Sequence, residues 1–174
     1  MSGLVRHWVL RAPVQATPRH ELPETYRLER LSGREALDIA DWADTSPKSY
    51  PSWERLGGEC VIGSVAGEAV FRAWQSANPV MISKLIPWID SIDRSAYVFD
   101  VETLPHYRGR GYATVFLREI LDRLVSAQIE STYARILPHN HSSMRTFHKA
   151  GFRNDALLGE LVVAKRRVIW WRAR

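Results

Sequence analysis

Six consecutive residues, Arg108-Gly109-Arg110-Gly111-Tyr112-Ala113, set two glycines and two guanidinium groups directly ahead of a long amphipathic run. A chain that enters a helix through such a turn makes an anion site, because the N–H groups of the first helical turn have no partner inside the helix. Gly109 and Gly111 carry no Cβ and let the main chain touch a pyrophosphate, while Arg108 and Arg110 add charge suited to phosphate oxygens. Taken alone, Arg-Gly-Arg-Gly is equally compatible with an ordinary turn. Just upstream, Asp100 and Glu102 stand two residues apart, on one face of an alternating segment. There they are within reach of a shared water and able to take a proton directly or through it. The competing reading pairs both acids with nearby arginines.

Other candidate chemistry is weaker. Cys60 is the single cysteine, which leaves no intrachain disulfide and no thiolate metal cluster, and its apolar setting Glu59-Cys60-Val61-Ile62 suits strand packing rather than nucleophilic attack. His139, His141 and His148 lack any carboxylate among them, so loop or solvent-facing histidines are expected and no metal site. The seven tryptophans suit core and strand packing. Trp74 is the one of interest, since its strand precedes the acidic one.

These groups must be positioned by an alternation of strands and helices. Tyr97, Phe99 and Val101 alternate with Val98, Asp100 and Glu102, which predicts a strand over Ala96–Thr103 with an apolar face and an acidic face. After Pro105 and the glycine-rich turn, Ala113, Phe116, Leu117, Ile120, Leu121, Leu124 and Val125 recur at helical spacing, the strongest helix in the sequence. Thr132–Leu137 is the next strand, followed by a short helix from Ser142 to Ala150 closed by Gly151. Leu157–Ala164 and Val168–Trp171 form a closing hairpin around Lys165-Arg166-Arg167.

Earlier in the chain, Tyr26–Leu31 alternates as a strand, and Ser32 with Glu35 makes a capping box for a helix through Ala43. Pro51–Leu56 suits a short helix. Cys60–Val65 and Ala69–Gln75 flank a hairpin turn at Ala66-Gly67-Glu68. Ser76–Arg94 fits no single period and is expected as a partly helical excursion. Residues 1–25 are set apart as a strand-and-loop extension broken by Pro13, Pro18 and Pro23, and 26–174 as one domain.

Size and composition exclude several classes. With 174 residues, 45% of them apolar, one core is supported and two are not. No apolar stretch approaches a membrane span, and Arg6, His7 and Arg11 break up the start, so a cytoplasmic protein is expected. The formal charge of +5 permits a polyanionic partner. The basic residues are nevertheless scattered, and no nucleic-acid-binding motif accompanies them, so nucleic acid is not the expected ligand.

The segment Leu104-Pro105-His106-Tyr107-Arg108-Gly109-Arg110-Gly111-Tyr112-Ala113 closely resembles the signature of the GNAT superfamily of CoA-dependent N-acyltransferases, Arg/Gln-x-x-Gly-x-Gly/Ala. Arg108, Gly111 and Ala113 fill its fixed places. Downstream, Asn140, Ser143 and Lys149-Ala150-Gly151-Phe152 resemble the family's last motif. The resemblance spans roughly Tyr26 to Trp171.

It implies an α/β fold of the mixed α+β kind: a central mixed sheet with two splayed strands, Ala96–Thr103 and Thr132–Leu137, flanked by helices. It implies acetyl-CoA as co-substrate, an amine of a small molecule or peptide as acceptor, and direct attack of that amine on the thioester. Main-chain groups near Thr103 and Leu104 would pair with the pantetheine arm. Residues Arg108 to Ala113, Tyr112 among them, would hold the pyrophosphate, with Asn140, Ser143 and Phe147 across the cleft. Asp100 or Glu102 would take the ammonium proton, and an N–H near Thr103 would polarise the carbonyl. The family usually has a tyrosine seven residues after the asparagine to protonate the leaving thiolate, and here that position is Phe147. Tyr133, Ser143 and His148 are candidate replacements. A non-catalytic CoA-binding module is the alternative. The exposed terminal strand would suit a homodimer.

Overall fold

The computed structural model describes residues 3–14, 23–31, 35, 50–86, 88–89, 92–163 and 166–173. The helix expected from Ser32 to Ala43 lies, except for Glu35, outside the described residues. Eight strands form one sheet in the order β2-β3-β4-β5-β6-β1-β7-β8. They are β1 (Gly3–Pro13), β2 (Tyr26–Leu31), β3 (Glu59–Val65), β4 (Glu68–Ser76), β5 (Ser95–Thr103), β6 (Ser131–Ile136), β7 (Arg153–Val163) and β8 (Arg166–Ala173). Every neighbouring pair is antiparallel except β5–β6, which is parallel. The mixed α/β class expected from the sequence is the one found.

Among the described residues four α-helices of more than one residue accompany the sheet: α1 (Tyr50–Arg55), α2 (Pro79–Leu85), α3 (Tyr112–Ser126) and α4 (His141–Ala150). Helix α2 begins inside the stretch that showed no period. Its start is local chemistry: Asn78 Oδ1 accepts from the N–H groups of Val80 (2.9 Å) and Met81 (3.4 Å), and Pro79 occupies the first turn. Helix α4 starts at Asn140 and stops where Gly151 takes φ 111°.

Each face of the sheet carries its own cluster. On one face Phe116, Leu117, Ile120 and Leu124 of α3 pack on Leu10, Phe71, Val98 and Ala134. Phe71 and Phe116 stack at 5.2 Å, and Gly63 lies so close that a Cβ there would stand 2.7 Å from the Phe116 ring. On the other face Ile82 and Ile86 meet Val9, Tyr97, Tyr133 and Leu158. Strand β1 belongs to both clusters, with Val9 on one face and Leu10 on the other. The segment 1–25, expected as an extension, therefore holds an interior strand between β6 and β7. A strand covered on both faces lacks clean alternation, which is why its place was not legible.

One prediction arises on β1. Arg135 Nη2 donates to His7 Nδ1 at 3.0 Å and faces Glu160 Oε2 at 3.5 Å. Burial, followed by the nearby Arg135 charge, lowers the His7 pKa to about 4. Below the ordinary value near 6.5 the unfolded chain binds a proton that the folded chain refuses, so this contribution is full above pH 6.5 and is lost as pH falls toward 4. Urea unfolding at pH 7 and pH 4.5 should differ by about 1 kcal/mol more in the native protein than in His7→Gln, whose amide oxygen also accepts from Arg135, solvent around the half-buried ring screening the rest. Equal pH dependence in the two proteins would refute it.

Candidate active site

The parallel pair β5–β6 is joined only at Ser95–Ser131, Ala96–Thr132 and Tyr97–Tyr133. Beyond Tyr97, β5 keeps its pairing with β4 through Thr103, while β6 keeps its pairing with β1 through Ile136. The two strands thus part in mid-sheet and leave the edge of β5 open to a cleft. Leu104 N–H bonds Val70 O at 3.0 Å. By strand alternation the main-chain groups of Val101 and Thr103 point the other way, into the opening.

The acids enter this cleft through a bulge. Arg72 pairs with Glu102 and Trp74 with Phe99, so β5 holds one residue more than β4 between those pairs. Asp100 absorbs it with φ 49°. Beyond the bulge the faces exchange: Glu102 shares the face of Phe99 and Trp74, while Val101 packs with Val98 in the α3 cluster. The sequence reading, which placed Glu102 with Val98 and Val101 opposite, is corrected by this single inserted residue.

Asp100 Oδ2 and Glu102 Oε2 converge on Arg72 Nη2 at 2.9 and 3.1 Å. Arg72 is wholly buried, and Glu102 Oε1 also lies 3.5 Å from Arg108 Nη2. The pairing with nearby arginines is therefore present in the fold. Burial raises the Asp100 pKa above its usual value, with Arg72 opposing the rise. Cys60, opposite Trp74 across β3–β4, is pushed up to about 12, chiefly by burial, and stays a neutral thiol.

At the mouth, Gly109 and Gly111 take φ 79° and 84°, and α3 starts immediately after them. No atom lies within 4 Å of a Cβ built at either glycine, so conformation rather than crowding calls for glycine here. An inner cavity of about 390 Å³ is lined by Asp100, Glu102, Thr103, Asn140, Ser143 and Phe147, among others. An outer one of about 310 Å³ is lined by Gly109, Gly111, Tyr112, Arg145 and Lys149, among others. Thr103, Arg108, Ala113, Ser142 and Thr146 border both, so the two are one continuous cleft. Backbone N–H groups at a helix start, an open strand edge and a long cleft between them fit the pyrophosphate and arm of CoA.

Several expected residues behave differently from the sequence reading. Arg108 does not extend toward the helix start: its Nε donates to Thr103 O at 2.9 Å. Arg110 borders neither cavity, and its guanidinium lies 5.6 Å from the Tyr107 ring centroid. Leu104 also borders neither, because its N–H is used by β4 and its side chain packs beside Trp74. Asn140 Oδ1 caps α4 by accepting from Ser143 N–H at 3.1 Å. Phe147 is buried against Phe152, ring centroids 4.9 Å apart, at the cleft floor.

Of the three candidate acids, only Ser143 borders the cleft. Tyr133 is buried in the opposite cluster, and His148 Nε2 lies 2.9 Å from Asn154 Oδ1. Among the described residues no group of three or more His, Cys, Asp or Glu is placed to hold a metal. No helix among them is long and apolar enough to cross a membrane.

Sequence reasoning missed Arg72, Thr146 and Arg145 as cleft residues, and named Lys149 only within the family's last motif. The signal for Arg72 was a lone arginine inside the apolar strand Val70-Phe71-Arg72-Ala73-Trp74, whose charge demands acids on the neighbouring strand. The signal for Arg145 and Lys149 was their four-residue spacing on the helix that follows Asn140.

A sheet parted at its one parallel pair, with a glycine-rich turn at the mouth of the gap and a helix behind it, defines a GNAT-type fold. The family model for the acetyltransferase (GNAT) family matches residues 16–152, and the chain belongs to that family. Among solved structures it is similar to a Drosophila protein (TM-score 0.64, 13% identity, 95% of this chain and 53% of that one). A GCN5-related N-acetyltransferase from Kribbella flavida is similar as well (TM-score 0.62, 17% identity, 92% and 59%). So is AAC(6')-Ib in complex with paromomycin and acetyl-CoA (TM-score 0.62, 15% identity, 87% and 94%). The chain thus spans less than two thirds of the first two proteins. At these identities the likeness is one of fold. A sequence search of curated proteins returns no match.

Proposed function

We propose that the chain is an N-acetyltransferase that uses acetyl-CoA and transfers the acetyl group to a primary amine of a small molecule or peptide. The observation that carries the reading is the parting of β5 from β6 beside the Gly109–Gly111 nest, with Asp100 and Glu102 at the inner end. The complex of the similar AAC(6')-Ib fold with acetyl-CoA supports it. When bound, the co-substrate supplies a thioester carbonyl open to attack.

The chain's own part is then positional and electrostatic. The nest holds the pyrophosphate, the open edge at Val101 pairs with the arm, and a Thr103 N–H faces the carbonyl, Thr103 O already accepting from Arg108 Nε. Asp100, kept in a partly buried site, takes the proton from the incoming ammonium. Ser143 and Thr146 line the place where the departing sulfur would lie, and a thiolate of ordinary basicity leaves without much help.

Phe147, buried and without a hydroxyl, favours a second reading in which the cleft binds CoA and turns nothing over. Release of free thiol from acetyl-CoA with a panel of primary amines separates the two. Turnover above background supports the transferase, and none with any amine supports the binding module. The shared element is tested by Gly111→Val. A β-branched residue at φ 84° strains or remodels the nest, and CoA affinity measured by calorimetry should fall about tenfold or more. Unchanged affinity would remove the nest from the site.

A further inference from the structure

Of the two arginines of the glycine-rich turn, only Arg108 borders the cleft, and much of its guanidinium is already engaged. Arg108 is turned inward, with Nε on Thr103 O and Nη2 toward Glu102, and Arg110 lies over Tyr107 and borders neither cavity. On the opposite wall Arg145 and Lys149 stand one helical turn apart on α4, both exposed, and both border only the outer cavity. Arg118 Nη2 donates to Lys149 O at 2.8 Å and ties that end of α4 to α3. Among the described residues no carboxylate lines the outer cavity, although two line the inner one. Among the described residues no ion pair engages Arg145 or Lys149.

CoA carries three phosphate groups in a fixed order: two in the pyrophosphate, then one on the ribose 3′ oxygen, further from the thioester. With the pyrophosphate on the Gly109–Gly111 nest, the next phosphate outward meets the wall that carries two cations and no acid. We propose that Arg145 and Lys149 form a 3′-phosphate subsite that makes the protein select CoA over 3′-dephospho-CoA. The inference rests on the CoA-binding reading above. Two charge-assisted contacts to a dianion, partly screened at an open surface, set the scale of the selectivity at about 10- to 100-fold.

Calorimetric titration of the full chain with CoA and with 3′-dephospho-CoA tests it, on the native protein, on Arg145→Gln/Lys149→Gln, and on the control Arg123→Gln. Arg123 pairs with Glu119 on α3 and borders none of this cleft, so the control removes charge without touching the subsite. All three side chains lie outside the core clusters, and thermal melting checks that the variants remain folded. Native protein and Arg123→Gln are expected to prefer CoA by about tenfold or more, and the double variant by less than about threefold with 3′-dephospho-CoA affinity nearly unchanged. Equal affinities of the native protein for the two ligands would overturn the subsite and leave the function standing. Binding of neither ligand would overturn both. A double variant that keeps its preference would overturn the assignment to these residues.

Discussion

Asp100→Asn is expected to lower kcat for acetyl transfer by about 10²–10⁴-fold, the range for loss of a positioned general base. Asparagine is the substitution that isolates the charge. Asp100 sits at φ 49° in the bulge, and Asn tolerates that left-handed backbone better than other non-glycine residues. Asp100 rather than Glu102 is the expected base because its side chain is 24% exposed against 11%. Glu102 is also held by two arginines, Arg72 and Arg108, while among the described residues Asp100 makes its ion pair with Arg72.

Burial holds the Asp100 pKa above its ordinary value, and the base works only when ionised. Native kcat should therefore fall as pH drops through that raised pKa, and this acid limb should be missing in Asp100→Asn. Glu102→Gln should keep the limb and lose less activity. Steady-state kinetics from pH 4.5 to 8.5 decide the matter: full activity in Asp100→Asn, or an acid limb that disappears only in Glu102→Gln, would sink the assignment.

Arg72→Met should cost about 3–5 kcal/mol of unfolding free energy at pH 7, the usual result of removing one partner from a buried ionic cluster. Arg72 has no exposed surface and stands within 3.1 Å of both acids. Its loss leaves two half-buried carboxylates side by side, which raises their pKa values in the folded state. A raised folded pKa means that protonation favours the fold, so the deficit is full above those pKa values and shrinks as pH falls below them.

Urea unfolding of native protein and variant at pH 7 and pH 5 should show the gap narrowing. The triple change Arg72→Met/Asp100→Asn/Glu102→Gln should recover much of the stability, because no buried charge is then left unmatched. A loss below about 1 kcal/mol at pH 7, the scale of an exposed pair, would show that water screens the cluster.

The positions of most elements were legible in the sequence because their determinants are local. Apolar spacing from Ala113 to Val125 names α3, alternation names β2 over Tyr26–Leu31, and Asn140 with Gly151 brackets α4. The glycine-rich turn was legible for the same reason, since a positive φ at Gly109 and Gly111 is a property of a few adjacent residues.

What the sequence could not deliver was anything that depends on which strand lies beside which. Residues 1–25 hold an interior strand because β6 and β7 accept β1 between them, and no local pattern records that choice. The two acids alternate cleanly on paper, yet one extra residue relative to β4 turns Glu102 to the other face and brings both acids onto Arg72, 28 and 30 positions away. By itself, then, the sequence determined the family, helices α1, α3 and α4, and the glycine-rich turn, all of which rest on short-range backbone preferences and spacing. The tertiary structure alone decided the parting of β5 from β6, the burial of Arg72 and the inward turn of Arg108, because register and charge pairing between distant segments are set only when the sheet closes.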